Sequence, residues 1–314
     1  MRVLYTSWSP LEAEFELSKL AGLPFQNTWL NGHKNMPRKG DLWLTTNGYN
    51  WRGGNFHKAS LFWESYTYLR NEYVNWKKNF TKWSHRFHFN DKYANDKNCT
   101  KIQIGTHWNC EYNDYEEIKK SKKIDHTFGM VLGNKGDKKP GNEECNVGYL
   151  RKRIVNAGRG RSFRYFGTAW PKDDPNYGGE AYIQGHRGSP VKFNDARKLM
   201  AGAKFVFAVE NTYHPVYSIN YLTEKIWHAF FSYSVPIYFG CYNVESLLPP
   251  GTFIDLRKYI SDFSRAFDFC EKMPDSEYQG YLDRIEEWLG GPGRQYSCES
   301  RFSQLDNAIK RVFG

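Results

Sequence analysis

The chain of 314 residues is long enough for two domains of ordinary size. Its 44 Lys and Arg residues against 34 acidic residues give a formal charge of +10, which suits a polyanion, a membrane surface or an anionic nucleotide. No recognition-helix, zinc-finger or RNA-binding signature accompanies the charge, so nucleic acid is not an expected partner. No apolar stretch approaches the length of a membrane span and no cleavage signature is present, which predicts a cytoplasmic protein without a transmembrane anchor.

Short apolar segments in the first hundred residues predict one α/β unit. Its strands are expected at 2–7, 41–46, 59–65, 80–88 and 101–107, and a helix at 11–21. A charged, Lys-rich segment at 113–123 follows and predicts the domain boundary. The predicted domains are therefore residues 1–120 and 121–314.

Strand and helix patterns alternate again in the second half. Strands are expected at 126–132, 162–167, 204–210 and 235–239, and helices at 147–157, 195–203 and 221–233. Three more helical segments follow at 260–272, 277–289 and 299–313.

Motifs for common metal and cofactor sites are missing from the sequence. The six cysteines form no C-x-x-C pair, so free thiols are expected, with a Cys99–Cys110 pair as the alternative. No G-x-G-x-x-G or G-x-x-x-x-G-K-[ST] occurs, which removes the simplest dehydrogenase and NTPase interpretations. His85 and His88 are three residues apart, but no third metal ligand is evident, so a solvated or cleft-wall role is expected.

The segment from Lys204 to Leu256 carries the strongest functional signal. Strand, helix and strand follow each other there, which predicts parallel strands joined by a right-handed crossover. Ligands bind open α/β sheets at the carboxyl ends of strands, and a helix N-terminus favours an anion. The spacing fits a nucleotide-phosphate or nucleotide-sugar site and an ordinary capped helix equally well. The candidate residues between the first strand and the helix are Glu210, Asn211, Tyr221, Thr223, Glu224 and Lys225.

Four motifs in this segment resemble the signature block of the alpha-1,3/1,4-fucosyltransferases, glycosyltransferase family 10. Their order and spacing agree with the family over roughly fifty residues, and outside this block the likeness is patchy. The motifs are Phe-Ala-Val-Glu-Asn at 207–211, Tyr-Leu-Thr-Glu-Lys-Ile at 221–226, Val-Pro-Ile-Tyr-Phe-Gly at 235–240 and Leu-Pro-Pro-Gly-Thr-Phe-Ile at 248–254.

The resemblance implies two Rossmann-like α/β domains that face each other across a cleft, the GT-B glycosyltransferase architecture. In such enzymes the terminal helix crosses back to the first domain, as we expect for 299–313. The implied reaction is inverting transfer of L-fucose from GDP-fucose to a hydroxyl of an acceptor glycan. No D-x-D triplet occurs in the chain, in agreement with a donor site that needs no metal or other cofactor.

The family also supplies expectations for individual residues. A Glu in a Phe-Glu-Ser or Gly-Glu-Asn element at the end of a strand is its base, and Glu64, before Ser65, is similar in context. The weaker competitors are Glu14, Glu16 and Glu72.

An Arg opens the helix at 147–157 in family members, and Arg151 matches that position best, with Arg153 as the alternative. Its guanidinium can hold the donor diphosphate in a bidentate fork. Arg151 and Lys225 are both expected to face an anion in the cleft. The resemblance assigns Glu224 to the ribose, with Tyr221 and Asn211 beside it.

Two other functions remain open. The donor could be another GDP-hexose or a UDP-pentose such as UDP-xylose, because the signature block is expected to contact mainly the ribose and the diphosphate. A non-catalytic glycan-binding protein is the second alternative. Golgi fucosyltransferases carry a membrane anchor, so this chain is either a cytosolic enzyme or a shortened form of a Golgi-type one.

Overall fold

The computed structural model describes residues 3–6, 25–27, 41–46, 57–62, 84–91, 98–102, 112–134, 147–181 and 194–313. The described strands form two parallel sheets, one in each half of the chain. The helix expected at 11–21 lies outside the described residues. So do Glu14, Glu16, Glu64 and Glu72.

The first sheet has the strand order β2-β1-β3-β4-β5-β6, and each neighbouring pair is parallel. Leu42 and Leu44 of β3 and Phe87 of β5 are completely buried, and Trp43 between the two leucines is buried as well. The sequence analysis missed β2. Strand β6 begins at Cys99, two residues before the predicted start, and residues 103–107 of the predicted strand lie outside the described residues. The strands are β1 (Val3–Thr6), β2 (Phe25–Asn27), β3 (Leu42–Thr46), β4 (His57–Phe62), β5 (Ser84–His88) and β6 (Cys99–Lys101).

The second sheet has the strand order β11-β10-β9-β7-β8 and is also parallel. Two buried clusters take alternate residues of β9, so β10 and most of β9 are apolar on both faces, as expected for a covered parallel sheet. The two-residue strand β11 was not predicted. The strands are β7 (His126–Val131), β8 (Phe163–Phe166), β9 (Ala203–Val209), β10 (Val235–Phe239) and β11 (Ile254–Asp255).

Seven α-helices lie in the described part of the chain. Helix α4 begins three residues later than predicted, because Thr223 has extended backbone angles and Tyr221 and Leu222 are buried ahead of the helix. The helices are α1 (Tyr112–Ser121), α2 (Leu150–Ala157), α3 (Asn194–Ala201), α4 (Glu224–Phe231), α5 (Ser264–Glu271), α6 (Asp275–Gly290) and α7 (Cys298–Phe313). No helix among the described residues is long and apolar enough to cross a membrane.

Helices α1 and α7 pack against different halves of the chain. The ring of Phe313, at the end of α7, lies 5.4 Å from His57 and 5.9 Å from His85, so the last helix crosses back to the first sheet as expected. Helix α1 instead packs on the second half, where the Tyr115 ring contacts Phe231 at 6.3 Å. The exact domain boundary at residues 120 and 121 stays a prediction.

The buried cysteines Cys241 and Cys270 are free thiols, as expected from the sequence. Cys110 lies outside the described residues, so the alternative of a Cys99–Cys110 pair stays a prediction.

Candidate active site

The second sheet has a topological switch point between β7 and β9. The chain passes from β7 to β8 on one side and then returns to β9 on the other side. The connections therefore leave in opposite directions, and open α/β sheets have their ligand crevice at the carboxyl ends of two such strands. The residues after each strand, together with the first turns of α2 and α4, form the walls of this crevice.

The Arg151 guanidinium spans the switch point. Its Nη1 donates to the Gly133 carbonyl oxygen after β7 at 3.1 Å, and its Nη2 donates to the Val209 carbonyl oxygen of β9 at 3.1 Å. Nη2 also donates to Asn211 Oδ1 at 2.7 Å. This planar fork joins the backbone after β7 to the end of β9, a geometry that Lys does not reproduce.

Arg153 lies elsewhere. Its side chain is exposed, donates to the Ile260 carbonyl oxygen at 3.1 Å and lies over the Phe263 ring at 5.0 Å. Of the two alternatives, the structure brings Arg151 and not Arg153 to the crevice.

A buried carboxylate, Glu210, organises the start of α4. It follows β9, is 0% exposed, and accepts hydrogen bonds from Thr223 N at 2.9 Å and Thr223 Oγ1 at 2.5 Å. Lys225 Nζ lies 3.2 Å from its Oε2. Burial raises the pKa of Glu210 and the charge of Lys225 lowers it, with a net rise. The carboxylate thus ties the end of a strand to the first turn of the next helix.

Lys225 is enclosed in the same cluster. Its Nζ also donates to Glu224 Oε1 at 2.7 Å and to Thr223 Oγ1 at 2.9 Å. Lys225 is 7% exposed and Arg151 is 2% exposed. Protein carboxylates and carbonyls surround both cations in this structure, and the expectation that each of them faces an anion stays a prediction.

The accessible polar groups at this edge are Glu224 and Asn211. The Glu224 side chain is 23% exposed, and Asn211 is half-buried. Tyr221, in contrast, is 0% exposed, with its ring 5.6 Å from Phe89. Glu210 and Tyr221 therefore hold neighbouring groups in place here, and a direct ligand contact for either one stays a prediction.

Tyr238 and Gly240 were missed by the sequence analysis. The Tyr238 hydroxyl lies 3.3 Å from Glu210 Oε1 and accepts a hydrogen bond from Cys241 N at 3.0 Å. A Tyr in the otherwise apolar strand β10 was the only sequence signal of this contact. Gly240 has a φ of +156°, and a Cβ there would overlap with the Cβ and Cγ atoms of Glu210.

Gly240→Ala is therefore expected to displace Glu210 and to lower the free energy of unfolding by about 1–3 kcal/mol, the usual cost of overpacking. Chemical denaturation measures this loss. Gly290→Ala is the matched control, because a Cβ at position 290 meets nothing within 4 Å. Equal stability of the two variants would contradict the packing of Glu210 against Gly240.

The first sheet contributes the strand that leads to Glu64. Strand β4 ends at Phe62, which pairs with His88 of β5, and Glu64 itself lies outside the described residues. Burial lowers the pKa of His88 to about 3, and its Nδ1 accepts a hydrogen bond from Asn90 N at 3.0 Å.

Both His85 and His88 are uncharged at neutral pH. Burial, and then the charge of Arg86, lowers the pKa of His85 to about 4. Its Nε2 lies 2.8 Å from Thr100 Oγ1. Among the described residues, no group of three or more His, Cys, Asp or Glu side chains is placed to hold a metal ion.

Comparison with known proteins identifies the segment that contains this cluster. Residues 177–289 match the family model described as glycosyltransferase family 10 (fucosyltransferase) C-term. An alpha-(1,4)-fucosyltransferase of Arabidopsis thaliana is 47% identical over 76 residues, which cover 24% of this chain and 18% of the relative. An alpha-(1,3)-fucosyltransferase of Helicobacter pylori is 30% identical over 90 residues, which cover 29% of this chain and again 18% of the relative.

A solved structure extends the similarity to the fold of both halves. The crystal structure of an alpha1,3-fucosyltransferase with GDP-fucose aligns with a TM-score of 0.56 and 14% identity, over 99% of this chain and 90% of that one. The predicted GT-B glycosyltransferase architecture is thereby confirmed. Residues 177–289, in the second half of the chain, are thus similar to the carboxyl-terminal domain of glycosyltransferase family 10, the fucosyltransferases.

Proposed function

We propose that the protein is an inverting glycosyltransferase that transfers L-fucose from GDP-fucose to a hydroxyl of an acceptor glycan. One observation carries the proposal. The family 10 segment at 177–289 contains Glu210, Thr223, Glu224 and Lys225, and the fold gathers these four residues at the crevice where α/β sheets bind ligands.

The donor would lie across the switch point, with its diphosphate at the N-terminus of α4. Lys225 would exchange its contact with Glu224 for a phosphate oxygen, and the released Glu224 carboxylate would accept hydrogen bonds from the ribose hydroxyls. Asn211, beside Glu224, would add a polar contact to the nucleoside. Arg151 would add positive charge near the diphosphate, while its guanidinium joins the backbone after β7 to the end of β9. Such preorganised charge stabilises a leaving group that becomes more negative.

The first half would supply the acceptor side. Glu64 would take the proton of the acceptor hydroxyl, which attacks the anomeric carbon from the face opposite GDP. The new glycosidic bond forms as the bond to the diphosphate breaks, and the configuration inverts. Protein cations and a helix N-terminus would stabilise GDP as it leaves, so we expect the reaction to proceed without a metal ion or other cofactor.

GDP is expected to raise the melting temperature more than UDP or ADP. A ligand that binds only the folded state adds about 2.7 kcal/mol of stability at a hundred times its Kd. Differential scanning fluorimetry with and without EDTA measures the shift, which should be the same in both buffers. A larger shift with UDP would favour the alternative donor, a UDP-pentose such as UDP-xylose. No shift with any nucleotide would favour the non-catalytic glycan-binding alternative and contradict the proposal.

The cytoplasmic location stays a prediction from the sequence.

A further inference from the structure

Hydrogen bonds join the two halves beside the crevice. At the end of β5, Asn90 is 1% exposed and its Nδ2 donates to the Val216 carbonyl oxygen at 2.7 Å. In the opposite direction, Asn220 Nδ2 donates to the Phe89 carbonyl oxygen at 3.2 Å and to Asp91 Oδ2 at 3.0 Å. We call Asn90, Asp91 and Asn220 the inter-sheet clamp.

Asn220 is suited to its place in the clamp. Its φ of +59° lies in the left-handed region, where Asn is one of the few non-glycine residues that is often found. Its backbone N donates to Asn243 Oδ1 at 2.8 Å, and Asn243 Nδ2 donates to its Oδ1 at 2.9 Å. One amide therefore joins three segments: the end of β5, the approach to α4 and the turn after β10.

The acceptor in the clamp is a carboxylate. Burial raises the pKa of Asp91, but the hydrogen bonds from Lys101 and Asn220 oppose this effect, and the net shift is downward. Asp91 is thus charged at neutral pH and strengthens the hydrogen bond that it accepts from Asn220.

The clamp connects the two sets of proposed active-site groups. Asn220 lies three residues before Thr223, at the start of α4. On the other side, β5 pairs with β4, and β4 runs towards Glu64. The contact between the end of β5 and Asn220 therefore holds β4, the strand before Glu64, at a fixed distance from the residues proposed to bind the donor.

We propose that Asn90, Asp91 and Asn220 are positioning residues that set the distance between the two sheets across the cleft between the two halves. The effect on turnover rests on the proposed function, whereas the effect on the distance between the sheets does not. The positioning matters because a displacement of about 1 Å can cost on the order of a hundredfold in rate.

A charge swap tests the clamp. In Asn220→Asp the new side chain tolerates a positive φ and can still accept a hydrogen bond from Asn243. Its carboxylate, however, lies next to the carboxylate of Asp91, and the two repel each other. Asp91→Asn in the same chain restores an amide donor and a carboxylate acceptor with the direction reversed. Asn307→Asp, at an exposed position of α7, is the matched control for the added charge.

Small-angle X-ray scattering and turnover are the readouts. Asn220→Asp should increase the radius of gyration and lower kcat by about tenfold, with GDP affinity within about twofold of the wild type. The swapped pair should restore both values in part, because an Asp at position 220 still cannot donate to the Phe89 carbonyl oxygen. If Asn220→Asp fails to fold, Asn90→Ala should give the same two changes.

Unchanged scattering in Asn220→Asp, or a swapped pair that stays as open as the single variant, would overturn the clamp. If the wild type transfers no fucose, the proposed function fails, while the scattering comparison still decides whether the clamp exists.

Discussion

Glu64→Gln is expected to lower kcat by about a hundred- to ten-thousand-fold, the usual contribution of general-base catalysis. The amide keeps the shape of the side chain and removes its ability to accept the acceptor proton. The affinity for GDP should stay unchanged, because the donor is held by the second sheet. Steady-state kinetics with GDP-fucose and a titration with GDP measure the two quantities separately.

The controls for Glu64 are other carboxylates of the first half. Glu14→Gln, Glu16→Gln and Glu72→Gln should each keep near-normal turnover. A folded Glu64→Gln protein with wild-type kcat would remove Glu64 from the mechanism, and a large loss in one of the other three variants would identify the base in its place.

Lys225→Met is expected to lower the free energy of unfolding by about 3–5 kcal/mol and to abolish GDP binding. The stability is lost because Glu210 is fully buried and would lose the ammonium group that lies 3.2 Å from it. Chemical denaturation and calorimetric titration with GDP measure the two effects. Lys272→Met, at an exposed position after α5, is the control for loss of a positive charge.

A second variant separates the two roles of Lys225. Glu210→Gln combined with Lys225→Met removes the unpaired charge, so most of the stability should return, whereas GDP binding should not. Lys225→Met with wild-type stability would contradict the buried ion pair. GDP binding regained by the double variant would contradict a donor contact for Lys225.

The elements of the second sheet could be predicted well wherever burial is uniform. Strand β10 has the predicted bounds, because an uninterrupted apolar run of this length is typical of a strand covered on both faces. The start of α4 was placed too early, because Tyr221 and Leu222 continue the apolar pattern of the helix but are buried in the segment before it. The two-residue strand β11 carries too short a pattern to predict.

The members of the site were easier to predict than their surroundings. Polar residues at a strand end and a helix start identified Glu210 and Lys225, yet nothing in their spacing indicated that Lys225 would be enclosed by two carboxylates. The Arg151 fork depends on carbonyls of Gly133 and Val209, which become neighbours only when β7 and β9 pair. Backbone acceptors and long-range contacts such as that of Asn220 with Asp91 leave no periodic trace in a sequence.

A crystal structure of the protein with GDP tests the central claim most directly. We expect the diphosphate at the N-terminus of α4 within hydrogen-bonding distance of Lys225 Nζ, the ribose hydroxyls on Glu224, and the Lys225–Glu224 contact broken. GDP bound away from the crevice between β7 and β9, or bound there with that contact intact and no phosphate oxygen near Lys225, would contradict the proposed donor site.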